Sequence, residues 1–193
     1  MSLARMIAYT IHQLSENQIA PYKTFIHKLI YLSIPEQREE LYRPYFYGPY
    51  SDQVQNTLLS LLKNSYISVA DGKKGYSVNR QTFEQRHIVA DTLLDKSCIE
   101  KKRIDATINF LKSGGFTSVE SISNLAKIHF IAIRNPIDTS NEFSEYIRHI
   151  GKYLGWPTIE KWKMTKYNES TAMQRILNDC WGKKCSSMVR DHG

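Results

Sequence analysis

Leu3, Ile7, Ile11 and Leu14 recur at spacings of four, four and three, which predicts a first helix with one buried face. Asn17 is a stop signal, and Pro21 suits the first position of a second helix, where a missing N–H costs nothing. That helix carries Phe25, Ile26, Leu29, Ile30 and Leu32 over a broad apolar arc and ends before Pro35. A polar loop runs from Pro35 to Glu40. Leu41 to Ser51 then holds four tyrosines and a phenylalanine in eleven residues, too rich in aromatics and proline for a helix. It predicts a short extended segment around Tyr45 to Tyr47 and a tight turn at Gly48-Pro49, with the tyrosines packed beneath. Ser51 and Asp52 supply an N-cap, and Gln55, three beyond Asp52, makes a variant capping box. The third helix buries Val54, Leu58, Leu61 and Leu62. Ile67 and Val69, then Tyr76 and Val78, alternate with polar residues on either side of Asp71-Gly72, which predicts a β-hairpin.

The rest of the pattern is helical. Helices are expected over about Thr82–Leu94, Ile99–Leu111, Ser121–Ile131, Glu142–Leu154, Thr158–Met164 and Ala172–Trp181, with breaks at Gly114-Gly115, Asn135-Pro136 and Gly155. The fold class expected is mainly α: an N-terminal winged helix-turn-helix with a small β-hairpin wing, followed by a packed helical C-terminal half. Residues 1–80 form the winged-helix unit and 81–181 a helical unit packed on it. Residues 182–193 are a flexible tail. No Pro/Gly/Ser-rich linker separates the two halves, and Trp156 is expected to anchor the turn after Gly155 in the core.

Three stretches carry a resemblance. His27-Lys28-Leu29-Ile30-Tyr31-Leu32 is similar to a "KLxYL" signature, Tyr45-Phe46-Tyr47-Gly48-Pro49-Tyr50-Ser51 to a "Y-x-Y-G-P-Y/F-S" turn, and Lys152-Tyr153-Leu154-Gly155-Trp156 to "K-x-L-G-W". Together they resemble the YwgA-like uncharacterised prokaryotic family, related to the Panacea (SocA-like) antitoxin domain. The resemblance covers roughly residues 3 to 165. It implies a winged-helix N-terminal half and a helical C-terminal half, and brings no catalytic residues with it.

The chain of 193 residues carries 26 Lys and Arg against 19 Asp and Glu, a net charge of +7 that favours polyanionic partners. Residues 1–80 hold nine basic and six acidic residues, 81–150 nine of each, and 151–193 eight against four. The excess therefore sits at the two ends. No apolar run is long enough to span a membrane, the opening Met-Ser-Leu-Ala-Arg-Met lacks a signal-peptide core, and three cysteines make no even disulfide framework. A cytoplasmic protein is the expectation.

Candidate chemistry lies in the third helix and the hairpin. With its apolar side inward, the helix turns Gln53, Asn56, Thr57, Ser60 and Lys63 outward; Gln and Asn suit the adenine edge, and Lys63 guanine or phosphate. Ser51 at the helix N-terminus is a phosphate candidate beside its capping role. Lys73 and Lys74 at the hairpin tip and Arg80 at its base suit the phosphate backbone. Double-stranded DNA is the expected partner, with a homodimer to present two such helices. The function expected is a DNA-binding transcriptional regulator or antitoxin-like protein. The alternative is a protein-interaction module that neutralises a toxin or joins a defence complex without touching DNA. No enzyme, cofactor or metal is expected: Glu84, His87 and Asp91 lack a second ligand pair, and Cys180, Cys185 and His192 lack paired CxxC knuckles. Arg134-Asn135 resembles the start of a HEPN ribonuclease motif, but no histidine follows at its spacing.

Overall fold

The computed structural model describes residues 1–34, 41–70, 75–79, 81–82, 98–132 and 140–156. Six helices and one two-stranded sheet are found among them. They are α1 (Leu3–Glu16), α2 (Lys23–Ser33), α3 (Asp52–Lys63), β1 (Ile67–Val69), β2 (Tyr76–Val78), α4 (Ile99–Ser113), α5 (Val119–Ala132) and α6 (Ser140–Tyr153). The protein is mainly helical with a small antiparallel sheet. Of the helix expected at 82–94 all but Thr82 lies outside the described residues, as do the helices expected beyond residue 156 and the 182–193 tail.

The helix α1 buries Met6, Ile7, Ile11 and Leu14, as its spacing requires, and closes at Asn17, whose N–H donates to Gln13 O at 3.0 Å. The helix α2 opens at Lys23 rather than at Pro21. Tyr22 stays extended, and Pro21 O accepts the Tyr76 N–H at 3.1 Å, so the proline ties the chain to β2 instead of starting the helix. Every residue of α2 from Phe25 to Ser33 is buried, because α1, α4 and α5 all pack against it. A helix enclosed on all sides must also take its polar residues into the core, and Lys28 and His27 are both 2% exposed.

Residues β1 and β2 pair in the register Ile67↔Val78, Ser68↔Ser77, Val69↔Tyr76, with β2 against α1. Only Ile67 of β1 is buried, so the alternation read from the sequence holds on that strand for a single inward residue. The helix α4 runs to Ser113 and stops at the two glycines, where the Phe116 N–H returns to Leu111 O at 2.8 Å. Tyr9 of α1 donates its hydroxyl to Asp105 of α4 at 2.8 Å. One core holds Ile11 and Leu29 together with Ile104, Ile108, Ile122 and Leu125, so it is continuous across residue 80. Trp156, fully buried beyond α6, completes it.

Candidate functional site

The third helix is held by its apolar side, with Val54 and Leu58 essentially inaccessible and Leu61 6% exposed. Gln53, Asn56, Ser60 and Lys63 stand exposed on the other side. Thr57 is half-buried and donates its hydroxyl to Gln53 O at 2.7 Å, so its oxygen is already engaged along the helix. Asp52 in the first turn and Lys63 in the last both complement the helix dipole.

Ser51 is corrected. It is fully buried, and its Oγ accepts the Val54 N–H at 3.3 Å, so the hydroxyl caps the helix from inside and does not face outward to a phosphate. The capping-box pairing also fails: the cap is Ser51 rather than Asp52, and Gln55 turns its Oε1 into an enclosed position. Asp52 instead meets Arg43 at 2.9 Å in an exposed ion pair. Lys73, Lys74 and Arg80 lie outside the described residues. One outward residue was missed: Leu59, 52% exposed, is an apolar member of the polar side.

The aromatic stretch differs from its expectation. Tyr45, Phe46 and Tyr47 are not an extended segment with rings packed beneath. A turn at residues 46–47 puts all three rings more than half into solvent. Below them Arg43 and Tyr50 exchange both backbone hydrogen bonds, at 3.0 and 2.9 Å, and the Gly48 N–H donates to Tyr45 O at 2.8 Å. Tyr42 is the one tyrosine of the stretch that does pack fully, edge-on to Tyr31. Tyr50 lies flat on His27, with ring centres 5.0 Å apart and planes within 8°.

Three distant elements hold this turn. Lys28 of α2 donates Nζ to Pro49 O at 2.5 Å, and Trp156 donates Nε1 to Tyr45 O at 2.7 Å. Lys127 of α5 lies under Gly48 and places its Nζ 5.7 Å from the centre of the Trp156 ring. Burial, then the charge of Lys127, pulls Lys28 down to a pKa of about 7, and burial lowers Lys127 as well. Burial, with the positive charges of Lys28 and Lys23, lowers His27 to about 3, against a weak opposing pull from Gln55. His27 is thus a neutral stacking surface near pH 7, and no partner closes a hydrogen bond of good geometry on its ring nitrogens. None of these residues was legible as a support of this turn; Trp156 was expected in the core after Gly155, where it is buried, but not at Tyr45.

Among the described residues no group of three or more His, Cys, Asp and Glu side chains is placed to hold a metal ion, and no helix is long and apolar enough to cross a membrane. Glu84, His87, Asp91, Arg134, Cys180, Cys185 and His192 all lie outside the described residues. No protein-family model matches the chain, and no curated protein matches it either.

Proposed function

We propose that residues 1–80 form a winged helix and that the protein binds duplex DNA through α3, as a transcriptional regulator or antitoxin-like protein. The observation that carries this is the outward side of α3: Gln53, Asn56, Ser60 and Lys63 are exposed on a helix whose opposite side is fixed in the core. The order α1, α2, α3, then an antiparallel pair, agrees with a helix-turn-helix closed by a wing. Gln53 and Asn56 have the paired donor and acceptor that suit adenine, and Lys63 offers a cation to guanine or phosphate. In this reading Lys73, Lys74 and Arg80 neutralise the backbone from the wing, and a homodimer presents two copies of α3 to a two-fold site. The resemblance to the YwgA-like family and the Panacea domain points the same way on fold.

The test is a gel shift on duplex DNA with a salt series. Replacing Lys63, Lys73 and Lys74 with Glu is expected to weaken binding at least tenfold and to flatten its salt dependence by about one unit of slope per lost contact. Undiminished affinity rejects the assignment.

A specific observation favours the second reading, a protein-interaction module that neutralises a toxin or joins a defence complex. Leu59 at 52% exposure and Val69 of β1 at 57% place apolar surface where duplex DNA gains little from it. A partner co-purifying in stoichiometric amount and lost on Leu59→Asp, with no retention on duplex DNA, selects that reading.

A further inference from the structure

Neither α3 nor the hairpin makes use of the aromatic turn. Tyr45, Phe46 and Tyr47 are 52%, 61% and 59% exposed, and three consecutive large rings in water call for a ligand that covers them. Their exposure does not come from a loose backbone. The bonds from Trp156 to Tyr45 O and from Lys28 to Pro49 O fix the turn from two distant elements, and the Arg43–Tyr50 pair closes it locally. Tyr45 rests on Tyr50, at 5.0 Å between ring centres, and Tyr50 is itself stacked on His27. The Tyr45 ring cannot fold back without breaking these contacts, and Phe46 and Tyr47 meet edge to face, with ring centres 5.0 Å apart.

Size and charge select the occupant. An aromatic side chain covers roughly 150–250 Å², so three at these exposures offer on the order of 350 Å² together. A stable protein partner needs about 800 Å² on each side. The exposed ring area is the right size for two or three flat rings. The exposed Arg43–Asp52 ion pair sets charge beside these rings, next to the backbone bridge that closes the turn. Arg43 is the exposed cation beside the rings, and Asp52 is its partner. The Arg43–Asp52 pair is open to solvent on both sides and easily exchanged for a phosphate. Bases inside a duplex have no free faces, whereas unpaired bases do.

We infer that the Tyr45–Tyr47 turn is a stacking platform for the unpaired bases of a single-stranded nucleic acid, with Arg43 taking an adjoining phosphate. Its site is separate from the duplex-facing side of α3. Base stacking on such rings is tolerant of sequence, so recognition here is of single-strandedness.

The test is fluorescence anisotropy of a labelled 20-nucleotide oligothymidylate with the full chain in 50 mM NaCl, beside a 20-base-pair duplex. The oligothymidylate is expected to bind, with about tenfold lost for each ring removed and so about a hundredfold for Phe46→Ala/Tyr47→Ala. Gln53→Ala/Asn56→Ala is expected to leave this binding unchanged. Phe46→Leu keeps apolar bulk but loses the flat face, and is expected to weaken the oligothymidylate about tenfold. Because these rings are exposed, thermal melts of the variants are expected to match the parent. No binding of the oligothymidylate, or full affinity in the double variant or in Phe46→Leu, overturns the platform. A protein captured through the turn without any oligothymidylate affinity overturns it too. A duplex bound while the single strand is not leaves the α3 reading standing alone; the reverse result leaves only the platform.

Discussion

Gly48 has a φ of +96°, and a Cβ built on it meets Lys127 Cγ at 2.9 Å. Both the backbone and the buried lysine stem therefore demand glycine here. Gly48→Ala is expected to cost about 2 kcal/mol in urea denaturation, more than the ~1 kcal/mol of an unfavourable φ alone. The lysine at the other side of the turn makes a pH prediction. Lys28 has its folded pKa at about 7, below the 10.5 of a free lysine, because of burial and the neighbouring Lys127. Between these values the unfolded chain holds a proton that the folded chain has released, so stability rises with pH through that window. The slope is at most about 1.4 kcal/mol per pH unit. His27 acts in the same direction lower down, from about 3 to 6.5, so acid weakens the fold twice. Lys28→Met is expected to reduce the rise above pH 7, to which the buried Lys127 also contributes, measured as the difference in urea midpoint between variant and parent at pH 7 and pH 9. A difference that does not change with pH contradicts a buried, near-neutral Lys28.

Ser51 shows how one residue sets the start of an element. Its hydroxyl caps α3 from a fully buried position, so Ser51→Ala removes a cap that water cannot replace, and is expected to cost about 1–2 kcal/mol. Ser51→Thr, which keeps the oxygen, separates loss of the cap from simple repacking in the same denaturation series. Elements of this kind were legible where local pattern decides the structure. The stripe of α1, the apolar side of α3 and the β1–β2 hairpin all follow from period and turn residues within a dozen positions. What escaped depends on distant partners. Tyr45–Tyr47 read as packed because aromatics beside Gly-Pro usually are, yet their exposure is fixed by Trp156, 111 positions away. Lys28 entered the sequence reading only within the His27–Leu32 stretch, with no role of its own. Its burial follows only because α1, α4 and α5 surround α2, and no local spacing reveals that enclosure.

At the scale of the whole molecule, α2 decides whether the first eighty residues are separable. It packs against α1 on one side and against α4 and α5 on others, and all nine residues from Phe25 to Ser33 are buried in the complete chain. Cutting after residue 82 would uncover the sides of α2 that pack on α4 and α5, and would strip Tyr31 of His129 and Phe130. Burying a large apolar side chain is worth about 1.5–3 kcal/mol, so exposing several removes an amount comparable to the total stability of a small domain. The turn loses its support in the same cut, because Trp156 no longer reaches Tyr45 O and Lys127 no longer lies under Gly48. A fragment of residues 1–82 is therefore expected to show helical circular dichroism without a cooperative melt, and to bind a hydrophobic dye that the full chain excludes. A cooperative melt for the fragment would mean that the N-terminal unit carries its own core. The helix α3 could then be studied by itself, and the later helices would be a covering rather than half of the structure.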